Sequence, residues 1–131
     1  RDTDAFKGIM AAFGLPKGTE GELAVRDVAI QAATREAIEV PLRVMEVAFE
    51  SMDVIEVMAE IGNPASVSDA GVGALCARSA VMGAYLNVQI NAKDLADRDV
   101  AAGYLERGGS IQGQALRREG EILEIVTSNL P

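Results

Sequence analysis

The sequence predicts an all-α protein, an antiparallel helical bundle, on three observations. Apolar residues make up 49% of the chain, yet only 4% are aromatic and tryptophan is absent. That apolar content is mainly Ala, Val, Leu, Ile and Met, which suits packed helices better than sheets. No segment sustains two-residue alternation, whereas apolar residues recur at steps of three and four along most of the chain. At 131 residues the chain is long enough for one domain with a proper core and too short for two ordinary ones.

The first helix is expected over DTDAFKGIMAAFG. Phe6, Ile9, Met10 and Phe13 sit there at helical spacing, with Asp2, Thr3 and Asp4 at its start. GLPKG ends it. Thr19 opens the second helix, and Glu22 three residues on completes a capping-box pattern. Helical periodicity then runs to Ile61, with Ile38, Leu42, Met45, Phe49 and Met52 on one stripe. Pro41 lies inside this long helix, removes a backbone hydrogen bond and is expected to kink it. Glu39, Glu46, Glu50, Asp53 and Glu60 fall on a different side and read as a solvated face. Gly62-Asn63-Pro64 breaks the chain, and Ser66 or Ser68 restarts it in a helix to about Ala92. KDLADRD is a charged connector. Asp97 or Arg98 begins the last helix, which Gly108 and Gly109 are expected to loosen or break, at about 1 kcal/mol each relative to Ala.

The third helix is expected to be the buried centre. Between Asp69 and Lys93 its only charge is Arg78, yet it contains Asn87 and Asn91. A buried polar group without a partner costs roughly 1–3 kcal/mol. Asp69, Gly73, Cys76, Ala80, Gly83, Asn87 and Asn91 share one stripe, small apart from its polar members. Val72, Leu75, Met82, Leu86 and Ile90 form a bulky stripe beside it. A membrane span is disfavoured by Arg78, Asn87, Gln89 and Asn91 and by the acidic, amphipathic neighbours. Two readings stay open. In one, Ser66, Ser68 and Asp69 cap the helix while the asparagines bond each other or a neighbouring backbone. In the other, the carboxylate and amides line a ligand site on a rigid element. GVGALC lacks the preceding strand and third glycine of a dinucleotide-binding turn. Cys76 reads as an inert core thiol.

Composition removes several function classes. A net charge of -8 argues against nucleic acid or an anionic membrane as partner. The absence of histidine excludes Ser-His-Asp and Cys-His nucleophiles and the common His-based metal motifs. One cysteine forms no internal disulfide, and the opening RDTDAF is no signal peptide, so a cytoplasmic protein is expected.

GNPASVSDAGVGA followed by GAYLNVQIN resembles the cyclodeaminase/methenyltetrahydrofolate cyclohydrolase family, the helical C-terminal domain of formiminotransferase-cyclodeaminase and its free-standing relatives. DTDAFKGIMAAFGLPKGT and AIEVPLRVMEVAFE look like the same family's preceding segments, so the resemblance covers most of residues 2–92. Family members carry, upstream of these motifs, a proline- and glycine-rich loop and an Ala/Gly-rich helix that are not present here. The resemblance therefore implies a single helical domain that is N-terminally incomplete.

It also implies one-carbon tetrahydrofolate chemistry: hydrolysis of 5,10-methenyltetrahydrofolate to 10-formyltetrahydrofolate. The alternatives are cyclodeamination of formiminotetrahydrofolate, with release of ammonia, and a non-catalytic folate-binding or oligomerisation module. A carboxylate beside the reacting carbon can stabilise cationic character and move a proton. Asp69 is the expected catalytic group and Asp4 the alternative, each against a capping role. Asn87 and Asn91 are the candidates for the pterin, against amide pairing in the core. Ser66, Ser68 and Asn63 are candidates at the mouth of the site, Lys17 and Lys93 for the anionic glutamate tail, and Tyr85 for ring stacking or proton relay. No metal or redox cofactor is implied, and a homodimer or higher homo-oligomer is.

Overall fold

The computed structural model describes residues 1–131. Four helices follow one another without a strand: α1 (Asp2–Phe13), α2 (Glu20–Ile61), α3 (Val67–Ala92) and α4 (Arg98–Asn129). A single 3-10 turn, Pro64–Ser66, precedes α3. The helical bundle is as expected, and no helix is long and apolar enough to cross a membrane.

Side-chain contacts fix the directions. Glu39 meets Tyr104, Glu46 meets Arg107, Glu56 meets Arg118 and Ala59 meets Asn129, so α2 and α4 run parallel. Asn91 meets Ala37, Gly73 faces Ile55 and Tyr85 meets Leu105, so α3 runs against both. Helix α1 packs on α2 alone to any extent. Arg26 ties it there, donating to the Phe13 carbonyl from two nitrogens at 3.3 Å while its guanidinium sits 5.3 Å from the centre of the Phe13 ring.

The Thr19 capping box forms, with the Thr19 hydroxyl accepting from the Glu22 N–H at 3.1 Å. Ile38, Leu42, Met45 and Met52 are buried as their spacing predicts, while Phe49 is half-buried. Each fully buried side chain of this size contributes about 1.5–3 kcal/mol. They meet Val81 and Val88 of α3, Ala115 and Ile122 of α4, and Leu95, a core residue inside the charged connector.

Three expectations are corrected, while α2 carries Pro41 inside one continuous helix. Helix α4 is likewise unbroken at Gly108 and Gly109, because those glycines accept the ring of Tyr85. A Cβ on Gly108 would lie 2.6 Å from Tyr85 Cε2. The acidic side of α2 is only partly solvated: Glu46 pairs with Arg107, and Arg118 meets Glu56 and Asp53 at 2.6 and 2.7 Å.

The third concerns α3, which is central but buried on one face only. Its buried face is Val67, Ala70, Gly71, Ala74, Ala77, Val81, Ala84, Val88 and Ala92. Alanine dominates because α3 packs against two long helices, and a short side chain brings the axes close. Gly71 shows the limit, with Val126 Cγ1 only 3.3 Å from where its Cβ would be. The bulky stripe faces outward: Val72, Leu75, Leu86 and Ile90 are exposed. Cys76 is exposed on the same side rather than buried in the core. The apolar stripe of α1 is also outward, with Phe6, Met10 and Phe13 exposed.

Candidate functional site

Pro41 has no N–H, so the carbonyl four residues earlier, Ala37, loses its helical donor. Asn91 of α3 supplies the replacement: its Nδ2 donates to Ala37 O at 3.1 Å. The proline that should weaken α2 thereby anchors an amide from the neighbouring helix. The bond commits an Asn91 N–H and leaves its Oδ1 as an acceptor.

Beside this anchor lies a hollow of about 240 Å³. Asp2, Ala5, Phe6 and Ile9 of α1 form one wall, Ala37 lies on α2, and Asn87, Ile90 and Asn91 of α3 form the other wall. Helical spacing explains the set, since 87, 90 and 91 share a face of α3 and 2, 5, 6 and 9 share one of α1. The connector at this end is held firmly. Gln31 accepts from the Ala96 N–H at 2.7 Å, and Arg98 Nη1 donates to the carbonyls of Ala92 and Leu95, each at 3.0 Å.

A larger groove of about 1170 Å³ runs along α2, with Val40, Val44 and Val47 on its floor and Arg35 and Arg43 beside them. Asp2 lines both the hollow and this groove.

The structure brings Asn87 and Asn91 together and separates them from Asp69. Asp69 stands exposed in the first turn of α3. Eighteen residues at 1.5 Å each place it about 27 Å along the axis from Asn87. Asn63, Ser66 and Ser68 are at that same distant end. There the Asn63 side chain accepts from the Ala65 N–H at 3.0 Å, and Ser66 makes no side-chain cap bond. Tyr85 faces α4, its hydroxyl donating to Leu105 O at 3.1 Å. Lys93 follows Asn91 at the end of α3, outside the hollow, whereas Lys17 lies past the opposite end of α1. Asp4 is exposed and lies outside the hollow. The carboxylate at the hollow is Asp2, which the sequence reading passed over. Its signal was available: Asp2, Phe6 and Ile9 form one stripe, and Asp4 lies about 200° around from Asp2.

The fold and its polar hollow define an all-α bundle that offers a carboxylate and two amides between apolar walls. Residues 1–108 match the family described as formiminotransferase-cyclodeaminase, and the chain belongs to that family. It is 40% identical over 129 residues to a methenyltetrahydrofolate cyclohydrolase of Methylorubrum extorquens, a match covering 98% of this chain and 62% of that relative. It is 33% identical over 127 residues to a formimidoyltransferase-cyclodeaminase of Dictyostelium discoideum, covering 97% of this chain and 23% of that one. Among solved structures it is similar to a formiminotetrahydrofolate cyclodeaminase from Thermotoga maritima, with a TM-score of 0.81 and 27% identity. That similarity covers 97% of this chain and 59% of the other. The chain thus spans about three fifths of the length of these two free-standing relatives.

Proposed function

We propose that this domain handles a one-carbon tetrahydrofolate derivative in the cytoplasm, and that its reaction is hydrolysis of 5,10-methenyltetrahydrofolate to 10-formyltetrahydrofolate. The similarity to the Methylorubrum extorquens cyclohydrolase, 40% over nearly the whole chain, carries this reading. Water adds to the cationic carbon between N5 and N10, losing one proton to give a tetrahedral carbinol. The C–N5 bond then breaks as N5 takes up a proton and the carbinol oxygen releases its own to become the formyl oxygen. A carboxylate near that carbon stabilises the cation and takes the proton of the attacking water. The hollow suits the pterin head, with Asn87 and Asn91 as its polar contacts. The groove along α2 gives the aminobenzoyl-glutamate tail an apolar bed, with Arg35 and Arg43 of the groove, or Lys93 outside it, as cationic partners.

Asp69 remains the proposed catalytic carboxylate, which calls for a second copy. The outward face of α3 supports a homodimer or higher homo-oligomer. In a two-fold antiparallel pairing centred near Val81, Val72 faces the partner's Ile90 and Cys76 faces the partner's Leu86. That register carries Asp69 of each copy to the Asn91 end of the other. Asn63, Ser66 and Ser68 travel with it to the mouth of the composite site. Tyr85 then takes a packing role, and Lys17 and Asp4 lie further out.

The decay of methenyltetrahydrofolate's near-ultraviolet absorbance in a non-catalytic buffer tests the hydrolase. Protein-dependent decay that disappears in Asp69→Asn, with helicity unchanged, supports it. A second reading, cyclodeamination, is favoured by the fold shared with the Thermotoga maritima enzyme. Ammonia released from formiminotetrahydrofolate, without methenyl hydrolysis, would select it. Folate binding with neither reaction would leave a binding module.

A further inference from the structure

We propose that Asp2 is the specificity-determining residue of the hollow, reading the 2-amino-4-oxopyrimidine edge of the reduced pterin; this rests on the folate reading above. That edge presents two adjacent donors, the ring N3–H and the 2-amino group, spaced as a fork that a carboxylate accepts with both oxygens. The geometry parallels a guanidinium–carboxylate pair.

The hollow is matched to such a donor edge. Asn91 has an N–H committed to Ala37 O at 3.1 Å, so its Oδ1 is left to accept. Asn87 on the same face offers either sense. An ionised carboxylate offers only acceptors. Asp2, Asn87 and Asn91 together therefore make an acceptor-rich rim, while Phe6 and Ile9 supply an apolar wall for a ring face.

Asp2 is also unclaimed by the fold. Asp53 pairs with Arg118 and Asp97 accepts from the Val100 N–H, whereas Asp2, like Asp27, Asp69, Asp94 and Asp99, takes part in no ion pair or side-chain hydrogen bond; of these only Asp2 lines the hollow. Its place as the first residue of α1 gives it a favourable interaction with the helix dipole. Its position lining both the hollow and the α2 groove sets it where the pterin head would join the rest of the ligand.

The test is calorimetric titration of the 131-residue chain with 5-formyltetrahydrofolate and with the analogue whose 2-amino group is replaced by methyl. The wild type should prefer the amino compound by roughly tenfold or more, the scale of one charge-assisted hydrogen bond. Asp2→Asn should lose that preference, weakening the amino ligand and leaving the methyl analogue nearly unchanged. Asp4→Asn should change neither. Circular dichroism establishes that each variant is folded. Wild-type binding without discrimination, or equal losses for both ligands in Asp2→Asn, overturns the assignment and leaves the folate reading intact. Failure of the wild type to bind either compound overturns both.

Discussion

At the scale of single residues, the pairing of Pro41 with Asn91 couples two positions that neither helix would link alone. Removing the amide in Asn91→Ala leaves the Ala37 carbonyl without a donor, at a cost of about 1–3 kcal/mol. In a Pro41→Ala background the helix supplies its own N–H at that position, so the same substitution should cost clearly less. Urea denaturation of the four proteins in the cycle measures this; additive losses would dissolve the link. Tyr104 gives a second residue-level expectation. Burial first, and then its hydrogen bond to Glu39, push its phenol above the ordinary 10.0, against weaker opposite pulls from Arg35 and Arg107. The folded state thus holds this proton more tightly than the unfolded one. The stabilisation is complete below about pH 10 and is lost as pH rises through the higher folded value. Tyr104→Phe should therefore melt less steeply than wild type across alkaline pH, and parallel melting curves would contradict the assignment. Arg118 carries no comparable expectation. Burial pulls it down, its contacts with Glu56 and Asp53 pull it up more strongly, and it stays charged throughout.

At the scale of elements, the glycines of α4 divide into two kinds. Gly108 lies under the Tyr85 ring, while Gly103 and Gly120 have nothing within 4 Å of an added Cβ. Gly103→Ala and Gly120→Ala should each stabilise by about 0.5–1 kcal/mol through helix propensity alone. Gly108→Ala gains the same amount but must displace the ring, at about 1–3 kcal/mol, and should come out destabilising. Combining it with Tyr85→Ala should reverse the sign, and thermal melts of the single and double variants check that. The contrast also marks what the sequence disclosed about its elements. Helix boundaries, the Thr19 box and the Ile38–Met52 stripe were legible because each is set by local spacing. The rescue of the Ala37 carbonyl at Pro41 and the unbroken passage through Gly108 were not, because the groups responsible, Asn91 and Tyr85, come from another helix. The inward face of α3 was misread for a related reason. Apolar bulk ordinarily marks the core, but here close packing between α2 and α4 selects alanine and glycine and leaves the large side chains outside.

At the scale of the whole molecule, that reversal determines what remains open. Asn87 and Asn91 were legible as a pair because four residues separate them on one helix. Their distance from Asp69 was legible too, from the axial rise alone, yet a shared stripe on the wheel disguised it. The partnership with Asp2 required knowing where α1 docks. Val72, Leu75, Leu86 and Ile90, with Cys76, leave an apolar face along the length of α3, the face on which the proposed second copy would pack. If a second copy covers it in the antiparallel register, the middle of the contact is small, at Ser79 and Gly83, and its ends are bulky. Light scattering across a concentration series should then show dimers or larger assemblies for the wild type. Leu86→Glu buries a charge against the partner's Cys76 and should shift the chain towards monomer, with its helicity retained. Exchange with Asp2 is the internal control: Asp2→Asn, outside the face, should leave the mass unchanged. The same register makes an activity forecast. Mixed dimers of Asp69→Asn with Asn91→Ala contain one site built from two unaltered residues, so two inactive proteins should regain turnover on mixing. Monomeric wild-type protein with full turnover would instead require all catalytic groups to lie within one chain and would rule out Asp69 as the catalytic carboxylate.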